Sequence, residues 1–330
     1  MHSPVPLPPR DRLRWLGLVL YGLVFVVAVR SWGIPFERPI LLAWLMGAAA
    51  IATIGRRGGG PVAVLRDWLP YGLALTAYDF TRGAADDLGM PVQVRLPIDL
   101  DRILGLGHVP TVVLQRWLGG FDGPVAWWEV PMALVYTSHF VAPFVIPAVL
   151  WVRNRDRFAA WRDRFFTVVG LGLITYTLVP VAPPWMAARR RAAAGRAGRD
   201  AGWSRLGLHV AQSVFDFGNR TVNVVAALPS LHAAFAAITA VFFWRSVRPW
   251  ARPLLAAYPL FMAFTLVAGG EHYLTDIVLA WIYVAVAFVV WNRLDPRTKG
   301  DQPGSVVAPS DDRVLTGSLV SDSVSADTSA

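Results

Sequence analysis

The sequence predicts an all-α fold: a polytopic membrane helical bundle of about eight spans. Three observations carry that prediction. Hydrophobic residues make up 55% of the chain and charged residues only 16%, where a soluble globular protein has about a quarter of its residues charged. The apolar residues come in long continuous blocks, the signature of membrane helices. The net charge of +9 is almost entirely arginine, with Lys299 as the only lysine, and the arginines cluster beside the apolar blocks. Such a basic balance also suits nucleic acid, but its placement suits membrane orientation and anionic lipid better, so no nucleic-acid partner is expected. The chain contains no cysteine, which excludes disulfides, thiolate metal sites and cysteine nucleophiles.

The elements follow in order. Residues 1–14 are a Pro- and Arg-rich leader. The block 13–29 lacks a small-residue cleavage site, so it is expected to be a retained first span and not a signal peptide. Further candidate spans are 40–54, 61–80, 126–151, 165–181, 230–244, 254–268 and 273–291. The shorter ones must extend into flanking residues to reach the ~20 residues of a crossing helix. In 61–80, Arg66 and Asp67 leave a clean run only from Trp68 to Phe80, so a re-entrant segment is the alternative there. From Asp295 onward the composition turns to Ser, Asp, Gly and Pro, which predicts a disordered tail over 295–330.

Short connections set the orientation. Arg153, Arg155, Arg157, Arg162 and Arg164 lie between the fourth and fifth spans, and Arg245, Arg248 and Arg252 between the sixth and seventh. Arg293, Arg297 and Lys299 follow the last span. Placing these groups in the cytoplasm satisfies the positive-inside tendency and puts both termini inside. Two long connections, 81–125 and 182–229, then lie outside. The first includes 96–118, apolar at helical spacing, expected as one helix on the membrane surface.

Two stretches carry chemistry: 227–235, around Pro229-Ser230-Leu231-His232, and 270–276, ending Glu271-His272-Tyr273-Leu274-Thr275-Asp276. Each places a histidine at the mouth of an apolar segment, where an ionisable group is costly and usually functional. Ser230 suits an N-cap, which seats His232 in the first turn of a helix. A helix N-terminus offers free N–H groups and positive partial charge to a phosphate. His272 and Asp276 are four apart, so on a helix the carboxylate holds the imidazole. Both stretches open on the outer face, outlining a phosphoryl-transfer site at a membrane surface.

These residues resemble the second and third signatures of the phosphatidic acid phosphatase type 2 superfamily. The finer likeness is to its inositol phosphorylceramide synthase-like (inositolphosphotransferase) branch. It is carried by Tyr136-Thr-Ser-His139-Phe-Val-Ala-Pro143 and Pro180-Val-Ala-Pro-Pro-Trp185, together with the two histidine stretches. The resemblance covers about 68–291. It implies that His272 is the nucleophile forming a phosphohistidine, that Asp276 orients His272, and that His232 is general acid and then base. It implies no cofactor and no metal. It also divides the chain into 1–60, a leader with two spans, 61–294, a catalytic membrane unit, and the tail.

The departures are specific. The superfamily's first signature is a lysine, six residues, then Arg-Pro, yet Arg38-Pro39, Arg248-Pro249 and Arg252-Pro253 all lack that lysine. Its third signature opens with Ser-Arg, where this chain has Thr265 and Leu266. Phosphate must therefore be held by other groups, because the transition state spreads negative charge over its non-bridging oxygens. Arg82 is the first candidate, against a plain interfacial anchor; Arg190 within the 189–191 cluster and Arg220 are others. Ser230 and His139 complete the expected substrate-binding set. The expected partners are the bilayer, a phospholipid donor and a lipid or polyol acceptor. The resemblance implies a phosphotransferase moving an inositol phosphate-like headgroup, and the arginine placement puts its active site on the extracytoplasmic face of the cell membrane. The same triad serves a lipid phosphate or polyprenyl pyrophosphate phosphatase with water as acceptor, and a non-catalytic transporter or scaffold is the third alternative.

Overall fold

The computed structural model describes residues 9–32, 38–54, 60–84, 90–119, 124–189 and 225–294. Their elements are α1 (Pro9–Trp32), α2 (Arg38–Ala52), α3 (Pro61–Ala84), α4 (Arg95–Leu104), α5 (Pro110–Trp117) and α6 (Glu129–Arg153). There follow α7 (Arg155–Leu178), α8 (Pro184–Arg189), α9 (Leu231–Phe243), α10 (Arg252–Ala268) and α11 (Leu274–Leu294). The protein is all-helical among the described residues, with isolated β-bridges in place of strands. Among the described residues, four segments are long and apolar enough to cross a membrane: Asp11–Ser31, Glu129–Arg153, Pro249–Ala268 and Leu274–Leu294. The other four expected spans are helices that fall short on length or charge. Helix α2 has 15 residues and α9 only 13, while α3 and α7 reach 24 but carry charged residues in their first halves.

Helices α6, α7, α9, α10 and α11 form the bundle, with α2 and α3 against α6 and α7 and α1 on the outside against α2. Ala233, Ala234, Ala236, Ala237 and Ala240 of α9 are all buried, beside the larger Leu231, Phe235 and Ile238. Small side chains let neighbouring backbones approach closely, so Phe165, Met262, Leu266 and Ile277 close around this helix.

Charge collects at one end of the bundle. The 153–164 arginines are not a loop. Asn154 ends α6 and its side chain caps α7 by accepting from the Arg157 N–H at 2.9 Å. Phe158, Trp161 and Phe165 then turn one face of α7 into the core. Asp67 of α3 accepts from Trp151 Nε1 at 2.9 Å and pairs with Arg155. That explains how a charged residue sits inside the 61–80 block: α3 continues as one helix through it. Arg164 is buried and bonds the Ala160 carbonyl and Asn292 Oδ1 near the end of α11.

The opposite end is covered by the segment 90–119. The single surface helix expected over 96–118 is broken into α4 and α5. A side chain at Gly105 would meet the His108 carbonyl oxygen at 2.2 Å, so the chain folds sharply there. Leu106 and Gly107 both take positive φ, 53° and 93°, and Pro110 opens α5 at its first turn. The two helices rest on the ends of α11 and α10, respectively; Gln115 Nε2 donates to the Ala268 carbonyl at 3.2 Å.

Candidate active site

Three extended segments converge beneath the site. Gln93 exchanges backbone bonds with Pro180 and Ala182, at 2.8 and 3.0 Å. Val181 does the same with Val225 and Ala227, at 2.7 and 3.2 Å. They carry the chain into a cis Leu228–Pro229 bond, whose Pro229 carbonyl accepts from Tyr176 Oη at 2.6 Å. Ser230 then caps α9, its hydroxyl accepting from the Ala233 N–H at 3.3 Å. Its own N–H donates to the Asp276 carbonyl at 3.1 Å, which joins the start of α9 to the first turn of α11. The expected N-cap role of Ser230 is what the fold uses.

The turn before α11 is equally determined. Gly270 takes φ 72°, a conformation open to glycine at little cost, and its carbonyl accepts from the Trp185 N–H at 3.1 Å. His272 follows, with Nδ1 3.1 Å from Asp276 Oδ2. The same carboxylate oxygen accepts from the Tyr273 N–H at 2.8 Å, so both ring and backbone are tied to Asp276. Asp276 is 0% exposed and its Oδ1 has no hydrogen-bond partner among the described residues.

The His232 ring lies 5.7 Å from that of His272, centroid to centroid, inclined by 58°. On its other side His232 stacks on His139 at 3.7 Å and on Tyr136 at 4.8 Å, with Phe140 edge-on at 5.8 Å. His139 in turn stacks on Phe235 at 5.0 Å. Thus α6, α9 and the turn before α11 each place a histidine in one cluster, and aromatic rings fix the orientation of His232.

Arg82 belongs to the last turn of α3, with its side chain outside the described residues, as Arg190 and Arg220 are entirely. Thr265 and Leu266 face the core, and the Thr265 hydroxyl bonds back to the Phe261 carbonyl at 2.8 Å, so this stretch of α10 supplies no cation. Sequence reasoning passed over Asp101. It is buried in α4 and accepts from the Leu274 N–H, the Thr275 N–H and the Thr275 hydroxyl. Burial pushes its carboxyl up, against the opposing pull of these bonds. The available signal was an acidic residue on the same helical face as Pro97 and Ile98, where an apolar one is the rule.

A family model of the PAP2 superfamily matches residues 98–290, more than half of the chain, and the protein belongs to that superfamily. No curated protein and no solved structure matches it. The match spans α4 to α11 and so includes all three histidines of the cluster. Activity of the lipid phosphatase or phosphotransferase type follows from membership.

Proposed function

We propose that this member of the PAP2 superfamily is a membrane phosphotransferase that moves an inositol phosphate-like headgroup from a phospholipid donor to an acceptor alcohol through a phosphohistidine. The observation that supports it best is the pair of imidazoles 5.7 Å apart with the carboxylate of Asp276 on one of them. With Nδ1 engaged by Asp276, His272 directs Nε2 outward as the nucleophile. Its lone pair attacks phosphorus, and the bond to the lipid oxygen breaks as His232, protonated, delivers its proton to that oxygen. Neutral His232 then takes the proton of the acceptor hydroxyl, whose oxygen attacks phosphorus and releases His272. Asp276 holds the ring tautomer and balances the positive charge that forms on it.

Two features favour a transferase over simple hydrolysis. The Tyr136–Pro143 and Pro180–Trp185 stretches resemble the inositolphosphotransferase branch, and the Ser-Arg of the phosphatase pattern is replaced by core-facing Thr265 and Leu266. The N–H groups at the start of α9, with Arg82, Arg190 and Arg220, are the proposed phosphate partners. The catalytic unit is assigned to 61–294, after a leader with two spans and before a cytoplasmic tail. The site is assigned to the extracytoplasmic face of the cell membrane. Purified protein in detergent, given phosphatidylinositol labelled in its headgroup together with a lipid alcohol, should yield a new labelled lipid. Free phosphate or free inositol phosphate without a lipid product would overturn the transferase reading in favour of hydrolysis.

A further inference from the structure

Among the described residues, Asp101 is the side chain of α4 that hydrogen-bonds the start of α11. Asp101 is 0% exposed and lies on the inward face with Pro97 and Ile98, while Leu96, Ile103 and Leu104 face outward. It accepts from the Leu274 N–H at 3.1 Å, the Thr275 N–H at 2.8 Å and the Thr275 hydroxyl at 2.7 Å. The two N–H groups belong to the first turn of α11, where no carbonyl of the helix itself lies in place to accept them. Among the described residues no cation pairs with Asp101, so its charge is held by these donors and the helix N-terminus. Two carboxylates therefore grip one turn: Asp276 from within, through His272 Nδ1 and the Tyr273 N–H, and Asp101 from a helix more than 170 residues earlier. Tyr273 fills the space between them, fully buried against Ile98 and Ala187.

We propose that Asp101 is a positioning residue for His272: it locks the first turn of α11 against α4, so that His272 keeps a set distance and angle to His232. The inference rests on the reading of His272 as the nucleophile. A side chain that held the turn only for stability would lower the amount of folded protein without changing its turnover. A positioning residue changes turnover itself, since displacement of a reacting group by about 1 Å costs up to about 100-fold. It also leaves substrate affinity nearly intact.

The test uses the full chain in detergent, with Asp101→Asn, Asp101→Ala, Thr275→Val and the Asp101→Asn/Thr275→Val pair, beside His272→Ala. With labelled phosphatidylinositol or phosphatidic acid, Asp101→Ala should lose about 100-fold in kcat and Asp101→Asn about tenfold, with KM within about twofold. Thr275→Val should lose about threefold, and the double variant less than the product of the single losses, because both changes break one contact. Asp101→Asn and Thr275→Val carry the result if Asp101→Ala does not fold. Reaction of His272 with diethyl pyrocarbonate, followed by peptide mass spectrometry, needs no substrate. Its rate should rise about threefold or more in Asp101→Asn as the turn loosens, while that of exposed His108 stays constant. An unchanged His272 rate, or unchanged kcat per folded molecule in Asp101→Asn when His272→Ala is inactive, overturns the positioning role alone. Full turnover in His272→Ala overturns the nucleophile and this inference with it.

Discussion

The chemistry concentrates in a few side chains whose spacing leaves little freedom. Asp276 has no exposure and one of its oxygens serves both His272 and the turn that carries it. Asp276→Asn keeps the shape but reverses the hydrogen-bond logic at Nδ1, and kcat should fall by about 10³- to 10⁴-fold with KM little changed, measured with a headgroup-labelled lipid. His139 acts on His232 through the 3.7 Å stack. Loss of an aromatic contact worth about 1 kcal/mol should let the His232 ring turn, so His139→Ala should lower kcat about fivefold. His139→Phe, which keeps a ring there, should restore most of it. Equal losses in both variants would mean that the imidazole, not its flat face, is what the site needs.

At the scale of elements, local signals and distant contacts separate cleanly. The Ser230 cap and the His272–Asp276 pair were legible because each bond joins residues within four positions of one another, at the entrances of α9 and α11. Asp101 was not, because its donors come from α11, and neither was the stack of His139 on His232, which needs α6 beside α9. The 153–164 stretch, whose arginines suggest a connection between spans, is mostly helix because Phe158, Trp161 and Phe165 recur at helical spacing and outweigh the charges. Asn154→Ala removes the cap of α7, and should cost about 1 kcal/mol, visible as a lower melting temperature in detergent with unchanged kcat. The break between α4 and α5 was missed although Gly105 and Gly107 mark it. Gly105→Ala should be more damaging than Asn154→Ala, since its added carbon meets a backbone oxygen at 2.2 Å with no flexible side chain to yield.

Across the whole molecule, the arginine-rich contacts of Asp67, Arg155 and Arg164 gather at one end of the bundle and the histidine cluster at the other. That polarity supports a site facing away from the cytoplasm, because arginines favour the inner side. A chain without cysteine suits single-cysteine mapping. His108→Cys, on the exposed turn above the site, should react with an impermeant thiol reagent in intact cells, and Ser246→Cys, at the arginine end, only after lysis. The reverse pattern would put the site in the cytoplasm. In the proposed reaction His272 carries the phosphorus between donor and acceptor. The most direct test is to mix the protein with phosphatidylinositol, quench in alkali to preserve the nitrogen–phosphorus bond, and weigh the peptide containing His272. An inositol phosphate adduct on His272, absent from His272→Ala, is the predicted result. A phosphatidyl adduct would mean that inositol, and not diacylglycerol, leaves in the first step, and an unmodified His272 during steady turnover would contradict the phosphohistidine.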